Sequence, residues 1–260
     1  MLTPEERQVC VDAILEANKT KVQTLRPSAR YPHIDFDDAY AISRAVAQQT
    51  VADGARLIGY KVGLTSTAMR RSSKIDEPDY GYMYDHFMVA DGATIKHANY
   101  CVPRVELELA FVLKDKLEGP DVNMLDVLRA TEYVVPAIEL IDARVDEPRK
   151  IYDTISDNGA GAGLILGGTP IRPHDADLRM IPGVLYRNTE IEETGVSCGT
   201  MGHPANGVAW LARKLHEIGE KLEAGQILLA GSFVRPIWVE VGDTVRADFG
   251  QFGSLSVRFE

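Results

Sequence analysis

The spacing of apolar residues divides the chain into two parts. In residues 1–55, apolar side chains recur at helical spacing, with Val11, Ile14 and Leu15 on one stripe. The segment from Thr3 to Glu6 resembles a capping box that starts one helix, and Asp35 predicts the start of another. We therefore expect a helical N-terminal subdomain over residues 1–55.

From residue 56 onward, short strands replace the helical pattern. Runs that alternate in polarity or are rich in β-branched residues cover 57–62, 102–113, 132–141 and 227–259. One amphipathic helix begins near Pro204, and an Asp91-Gly92 turn predicts a hairpin over 87–95. Because strands dominate and helices are segregated, the pattern favours an α+β fold with one continuous β-rich domain over 56–260.

Two glutamates share one face of the strand predicted over 102–113. Side chains alternate along a strand, so Glu106 and Glu108 point one way while Leu107 points the other. Like charges about 7 Å apart on an apolar strand are costly to bury, and a cation would offset that cost. Glu139 lies in a similar apolar run, and three carboxylates favour Mg²⁺ or Mn²⁺ over zinc. The alternative is a solvated strand face without a metal.

A lysine stands between two glycines in the strand predicted over 57–62. Lys61 shares its face with Gly59 and Gly63, and glycines leave room for a ligand or another backbone. Such a lysine is a candidate general acid/base or anion contact. The alternative is a lysine that extends its charged end to solvent from an edge strand.

A local positive cluster follows this strand. Arg70, Arg71 and Lys74 could bind a substrate carboxylate, or they could form a solvated helix face. His203 either caps the helix that begins near Pro204 or faces the site. A hydrolase would need a histidine-activated water near the site; the sequence places no histidine there, and His86 and His203 are no more than candidates.

The overall charge excludes two classes of partner. The 28 basic and 38 acidic residues leave a net charge of −10, which argues against binding to nucleic acid or to an anionic membrane. No apolar run approaches the ~18 residues of a membrane-spanning helix. The three cysteines are scattered without CxxC spacing, and the N-terminus lacks the basic and apolar runs of a signal peptide. We therefore expect a cytoplasmic protein with reduced thiols.

Eight segments identify a family when they are taken together. In chain order they are IGYKVGLTS, EPDYG, PRVELELAFVL, PAIELIDAR, DTISDN, GHPANGVAWLA, EAGQILLAGSF and FGSLSVRF, and the resemblance covers nearly the whole chain from about residue 31. They resemble the fumarylacetoacetate-hydrolase superfamily, in its branch of 2-oxo-alkenoate hydratases and 2-oxohexenedioate decarboxylases. The resemblance implies a mixed β-sheet roll that follows an N-terminal helical part, which agrees with the α+β prediction.

The resemblance also implies the catalytic residues. Glu106, Glu108 and Glu139 would be the ligands of Mg²⁺ or Mn²⁺, and Lys61 and Asp79 would form an acid/base pair. Hydratases that resemble this chain carry an acid at the position of Asp79 in the segment PDYG, whereas decarboxylases tend to have an apolar residue there. We therefore predict a metal-dependent hydratase.

The same resemblance suggests substrate contacts and partners. The predicted substrate-binding residues are Ser156, Asp157 and Asn158 in DTISDN, Ser232 for the C1 carboxylate, and Arg70, Arg71 or Lys74 for a distal carboxylate. The predicted substrate is a 2-oxo acid, with a seven-carbon diacid favoured. Hydration of 2-oxopent-4-enoate and decarboxylation of 2-oxohex-3-enedioate are the alternatives within the branch. Outside the branch, the alternatives are an enzyme that hydrolyses a C–C bond of an acylpyruvate and a non-catalytic partner subunit.

We also expect a homo-oligomer that could associate with a homologous decarboxylase. The loop over 144–150 is shorter than in the relatives that this chain resembles, and it could border the substrate.

Overall fold

Helices occupy the N-terminal part of the chain and are sparse after it in the computed structural model, which describes residues 1–67, 70–71 and 75–260. Among these residues the helices are α1 (Pro4–Thr20), α2 (Pro27–Arg30), α3 (Phe36–Ala52), α4 (Met124–Ala130), α5 (Ile151–Ser156) and α6 (Ala205–His216). As predicted, α1 begins with a capping box between Thr3 and Glu6, and α3 begins with one between Asp35 and Asp38. The division of the chain into two domains at residue 55 stays a prediction.

Strands make up most of the remainder. They are β1 (Leu57–Gly63), β2 (Asp79–Tyr84), β3 (Met88–Val89), β4 (Thr94–Ile95), β5 (Arg104–Leu113), β6 (Thr131–Ile141), β7 (Gly161–Leu166), β8 (Pro182–Arg187), β9 (Glu190–Val196), β10 (Ile227–Leu229), β11 (Ile237–Trp238), β12 (Thr244–Asp248) and β13 (Ser254–Phe259). The predicted amphipathic helix is α6, and it buries Val208, Leu211 and Leu215.

The strands form two mixed sheets. The larger has the order β2-β1-β10-β5-β6-β7-β3, with β11 also paired to β5, and the smaller has the order β4-β13-β12-β8-β9. Within the larger sheet, β1 pairs with β10 and β3 pairs with β7 in parallel, while the other pairs are antiparallel. This arrangement confirms the α+β prediction.

The predicted hairpin over 87–95 is wrong. Its two short strands belong to different sheets, because β3 pairs with β7 and β4 pairs with β13. The Asp91-Gly92 turn docks on β13 instead: the Ser256 N–H donates to Asp91 Oδ1 at 2.7 Å, and the Gly92 N–H donates to the Ser256 carbonyl at 2.9 Å. The turn therefore connects the two sheets.

The long strand β5 separates two apolar regions. Its residues Val105, Leu107, Leu109 and Phe111 lie in the main core, whereas Ala110 lies in a smaller cluster on the opposite face. The alternation predicted from the sequence is thus confirmed. Glu106 and Glu108 lie on the same face as Ala110, on the side of the smaller cluster.

The N-terminal helices pack together on the rest of the chain. Residues of α1 and α3 share an apolar cluster with Val145, and the Arg7 Nη2 atom of α1 lies 2.7 Å from the buried Asp38 Oδ1 of α3. No helix in the described part of the chain combines the length and apolar character needed to span a bilayer.

Candidate active site

The three predicted metal ligands meet on two adjacent strands. Glu106 and Glu108 follow each other on one face of β5, and Glu139 on β6 is the direct register partner of Glu106. Each of the three offers a carboxylate oxygen, and these oxygens all lie within 4.8 Å of one another. The pairing of β5 with β6 therefore produces the cluster that the strand pattern predicted, which we call the glutamate cluster.

Burial makes this cluster unfavourable when it is fully charged and unliganded. Burial, with repulsion from Glu139, raises the pKa of Glu106 to about 7, and the same two causes raise the pKa of Glu108. Neither oxygen of Glu139 has a hydrogen-bond partner within the described residues. A divalent cation would neutralise the charge and coordinate these oxygens, so the residues fit a hard metal ion.

Lys61 and Asp79 lie beside the glutamate cluster. Lys61 Nζ is 3.6 Å from Glu139 Oε1, and both side chains are buried. Asp79 begins β2 opposite Gly63 of β1, where a Cβ atom would overlap Asp79 Oδ1 and lie 3.1 Å from Lys61 Nζ. The glycine therefore provides the space in which the lysine and the aspartate approach each other, and the solvent-directed alternative for Lys61 is wrong.

The two groups influence each other's protonation. Burial alone would lower the pKa of Lys61, but the negative charges of Glu139 and Asp79 outweigh it and raise that pKa. Burial raises the pKa of Asp79, while the charge of Lys61 opposes this effect. No residue in the described ranges hydrogen-bonds to either Asp79 oxygen, which leaves the carboxyl group available for proton transfer.

The DTISDN segment lies close to this pair, but two of its three predicted substrate-binding side chains bond to the protein itself. The Asp157 carboxylate accepts hydrogen bonds from Arg144 N–H at 2.7 Å and from Arg144 Nε–H at 2.6 Å. Asn158 exchanges two hydrogen bonds with the Tyr82 backbone, at 2.7 and 2.9 Å. Ser156 is buried, and its hydroxyl has no partner among the described residues. Direct substrate contact by this segment stays a prediction. Of the three predicted residues, Ser156 alone has no hydrogen bond from its side chain to the described residues.

The next residue fixes the segment against Lys61. Gly159 has φ 59°, in the left-handed region, and a Cβ there would lie 3.3 Å from Lys61 Cδ. The DTISDN segment therefore forms one wall beside the lysine side chain.

The predicted anion contacts divide into three groups. Arg70 Nη1 donates to the carbonyl oxygens of Leu64 and Thr65, at 3.0 and 2.8 Å, so this guanidinium supports the loop after β1. Arg71 is exposed, and Lys74 lies outside the described residues. The Ser232 hydroxyl closes a turn with the Val234 backbone, donating at 2.9 Å and accepting at 3.2 Å.

The two candidate histidines, His203 and His86, make contacts outside the glutamate cluster. His203 Nδ1 accepts a hydrogen bond from the Ala205 N–H at 3.1 Å, which favours the helix-cap alternative. His86 stacks on Tyr84 with ring centroids 5.5 Å apart, and it lies next to Asp85 at the end of β2.

A cavity of about 300 Å³ opens beside Glu106. Its walls include the loop after β1, the end of β9 and the segment 232–236 that precedes β11. Glu193 and Arg235 also line it, and sequence reasoning missed both because 42 residues separate them. The buried pair of Arg144 and Asp157, only 13 residues apart in sequence, was also missed.

Comparison with known proteins assigns the family. The model of the fumarylacetoacetate (FAA) hydrolase C-terminal family matches residues 55–260, so the chain belongs to the fumarylacetoacetate hydrolase family. It is 51% identical over 251 residues to the 2-oxo-hept-4-ene-1,7-dioate hydratase of Escherichia coli, with 94% of each chain covered. It is 34% identical over 260 residues to the 2-keto-4-pentenoate hydratase of Paraburkholderia xenovorans (strain LB400), which covers 100% of this chain and 97% of the relative.

A solved structure supports the same assignment. The 4-oxalocrotonate decarboxylase from Pseudomonas putida G7, complexed with magnesium and adipate, matches with a TM-score of 0.96 and 31% identity. The match covers 100% of this chain and 99% of that chain. Together these comparisons confirm the predicted family, its mixed-sheet fold and the enzyme class, a hydratase that acts as a hydro-lyase.

Proposed function

We propose that the chain adds water to 2-oxohept-4-ene-1,7-dioate and forms 4-hydroxy-2-oxoheptane-1,7-dioate, a reaction of aromatic meta-cleavage degradation. The observation that carries this proposal is the buried Lys61–Asp79 pair beside the glutamate cluster, with Lys61 Nζ 3.6 Å from Glu139 Oε1. The 51% identity to a hydratase of this seven-carbon diacid supports the choice of substrate.

The glutamate cluster would hold a divalent cation, Mg²⁺ or Mn²⁺. Glu106, Glu108 and Glu139 present only hard oxygen donors, and the similar decarboxylase was solved with magnesium. When bound, the cation supplies Lewis acidity toward the carboxylate and 2-oxo group of the substrate.

Lys61 and Asp79 would carry the proton transfers. Loss of a proton from C3 and gain of one at C5 move the double bond to C3–C4, where it is conjugated with the 2-oxo group and makes C4 electrophilic. The oxygen of water then bonds to C4, and a proton is delivered to C3, so that one water molecule is added overall. The pKa of Asp79 is raised, and neither of its oxygens has a hydrogen-bond partner among the described residues, which suits it to accept and return protons, while Lys61 remains a donor.

Decarboxylation is the second candidate, because the decarboxylase structure matches over the full length of the chain. The acid at Asp79 favours hydration. Its carboxyl group is buried beside Lys61 and the glutamate cluster, which supports a role for it as the proton acceptor in the addition of water.

The substrate assignment is tested by comparing two dienols. We expect kcat/KM for 2-hydroxyhepta-2,4-dienedioate to exceed that for 2-hydroxypenta-2,4-dienoate by about tenfold or more. A second carboxylate adds a charge-assisted hydrogen bond of roughly 1.5–3 kcal/mol, and 1.4 kcal/mol corresponds to a factor of ten. The measurement is the loss of the conjugated chromophore with each substrate in the presence of Mg²⁺. A preference for the five-carbon acid would instead identify a pentenoate hydratase.

A further inference from the structure

One basic side chain faces the cavity beside Glu106. Of the described residues that line this cavity, only Arg235 carries a positive charge. Its side chain is 78% exposed, although it forms an ion pair with Glu193, whose side chain is 15% exposed. The guanidinium therefore lies at the solvent side of the cavity, whereas Glu106 lies on the protein side.

The segment that carries Arg235 is attached to the glutamate cluster. The Ala230 N–H donates to the Leu109 carbonyl at 3.1 Å, and the Gly231 N–H donates to Glu108 Oε2 at 2.8 Å. Arg235 is the fourth residue after Gly231, so their Cα atoms are at most about 14 Å apart. The positions of the cation ligands and of the guanidinium are thus linked through one short segment.

The other end of the segment is fixed against β9. A Cβ atom on Gly195 would overlap the Phe233 carbonyl oxygen, so the two backbones are in close contact. The Ser232 hydroxyl holds the turn through Val234 N–H and C=O. These contacts place Arg235 next to Glu193, two residues before Gly195 on the same strand face.

The ion pair leaves part of the guanidinium available. Arg235 Nε lies 2.8 Å and Nη2 lies 2.6 Å from the same oxygen, Glu193 Oε1. A guanidinium has five N–H donors in a planar fork that matches a carboxylate, so this contact orients the group while donors remain for a second anion. By contrast, Arg70 is directed to two carbonyls of its own loop.

We propose that Arg235 recognises the distal carboxylate of a dicarboxylate substrate, and that Glu193 orients its guanidinium at the cavity. This inference rests on the proposed function, because the 2-oxo acid end of the substrate must lie at the glutamate cluster. Arg235 would then determine the preference for a diacid over a monoacid of the same chain length.

Binding of two saturated 2-oxo acids tests the proposal. 2-Oxoheptanedioate and 2-oxoheptanoate share the 2-oxo acid end and differ at C7, and neither contains a double bond that could be hydrated. Isothermal titration calorimetry of the Mg²⁺-loaded protein should show tighter binding of the dioate. In Arg235→Gln this preference should fall by about tenfold or more, since a charge-assisted bond is lost. Arg235→Lys retains the charge without the planar fork and should show an intermediate preference.

Arg129→Gln is the matched control, because Arg129 forms a similarly exposed pair with Asp126 on α4 and does not line the cavity. It should keep the wild-type preference. An unchanged preference in Arg235→Gln, an equal affinity of the wild type for the two acids, or binding of neither would overturn the proposal. If the wild type prefers the dioate and Arg235→Gln loses that preference, but the wild type shows no hydration activity, the proposed function alone is contradicted.

Discussion

Replacement of Glu106 by glutamine should remove metal dependence and most of the activity together. The amide is a weaker ligand than a carboxylate, and Lewis-acid stabilisation is worth several kcal/mol, so we expect kcat to fall by roughly 10²- to 10³-fold. In EDTA, however, the variant should melt at a higher temperature than the wild type. It lacks one of three like charges, two of them buried and that of Glu106 partly buried, whose oxygens lie within 4.8 Å of one another.

Thermal unfolding with and without MgCl₂ checks this result independently of activity. Ligand at one hundred times its Kd stabilises the folded wild type by about 2.7 kcal/mol, and Glu106→Gln should lose most of that gain. Glu132→Gln removes an exposed carboxylate from the same strand as Glu139 and should behave like the wild type. Full activity of Glu106→Gln in the presence of EDTA would exclude the metal role.

Asp79→Asn should separate proton transfer from metal binding. Asparagine has nearly the same shape and fits against Gly63, but it cannot accept the proton, and loss of a general acid/base reduces rates by roughly 10²- to 10⁴-fold. The affinity for Mg²⁺ should stay within about twofold of the wild type, because the predicted metal ligands are the three glutamates of the glutamate cluster and Asp79 is not one of them. Steady-state kinetics and Mg²⁺ calorimetry on the same preparation measure the two effects.

Asp85→Asn is the control for this variant. Asp85 follows the last residue of β2, is partly exposed, and accepts a hydrogen bond from the Arg56 N–H at 3.1 Å. Its turnover should match that of the wild type. Near-normal turnover in Asp79→Asn would remove the aspartate from the mechanism, whatever its metal affinity.

The strand pattern predicted which face of β5 carries the site. Glu106 and Glu108 alternate with the apolar residues of this strand, and charged residues are rarely buried without a partner, so the pattern left two alternatives, a metal site or a solvated face. Gly63 likewise indicated space beside Lys61. These features are local, because the two-residue period of a strand determines which side chains share a face.

The two-residue period of a strand does not predict which strands pair. The register that places Glu139 opposite Glu106, and Asp79 opposite Gly63, depends on tertiary packing of strands that are distant in sequence. The wrong hairpin shows the same limit: Asp91-Gly92 is a turn, as its residues require, but two-residue strands pair wherever the surrounding sheets offer an edge. Arg235 could not be assigned for this reason, because only the packing of its segment on β9 places it at the cavity.

The most direct test of the central claim is a coupled assay on the wild-type enzyme with Mg²⁺. Enzymatically generated 2-hydroxyhepta-2,4-dienedioate is supplied, and loss of the conjugated chromophore and release of CO₂ are followed together. We predict that the chromophore disappears with formation of 4-hydroxy-2-oxoheptane-1,7-dioate and without CO₂, and that EDTA stops the reaction. Release of one CO₂ for each chromophore lost, or an unchanged rate in EDTA, would contradict a metal-dependent hydratase.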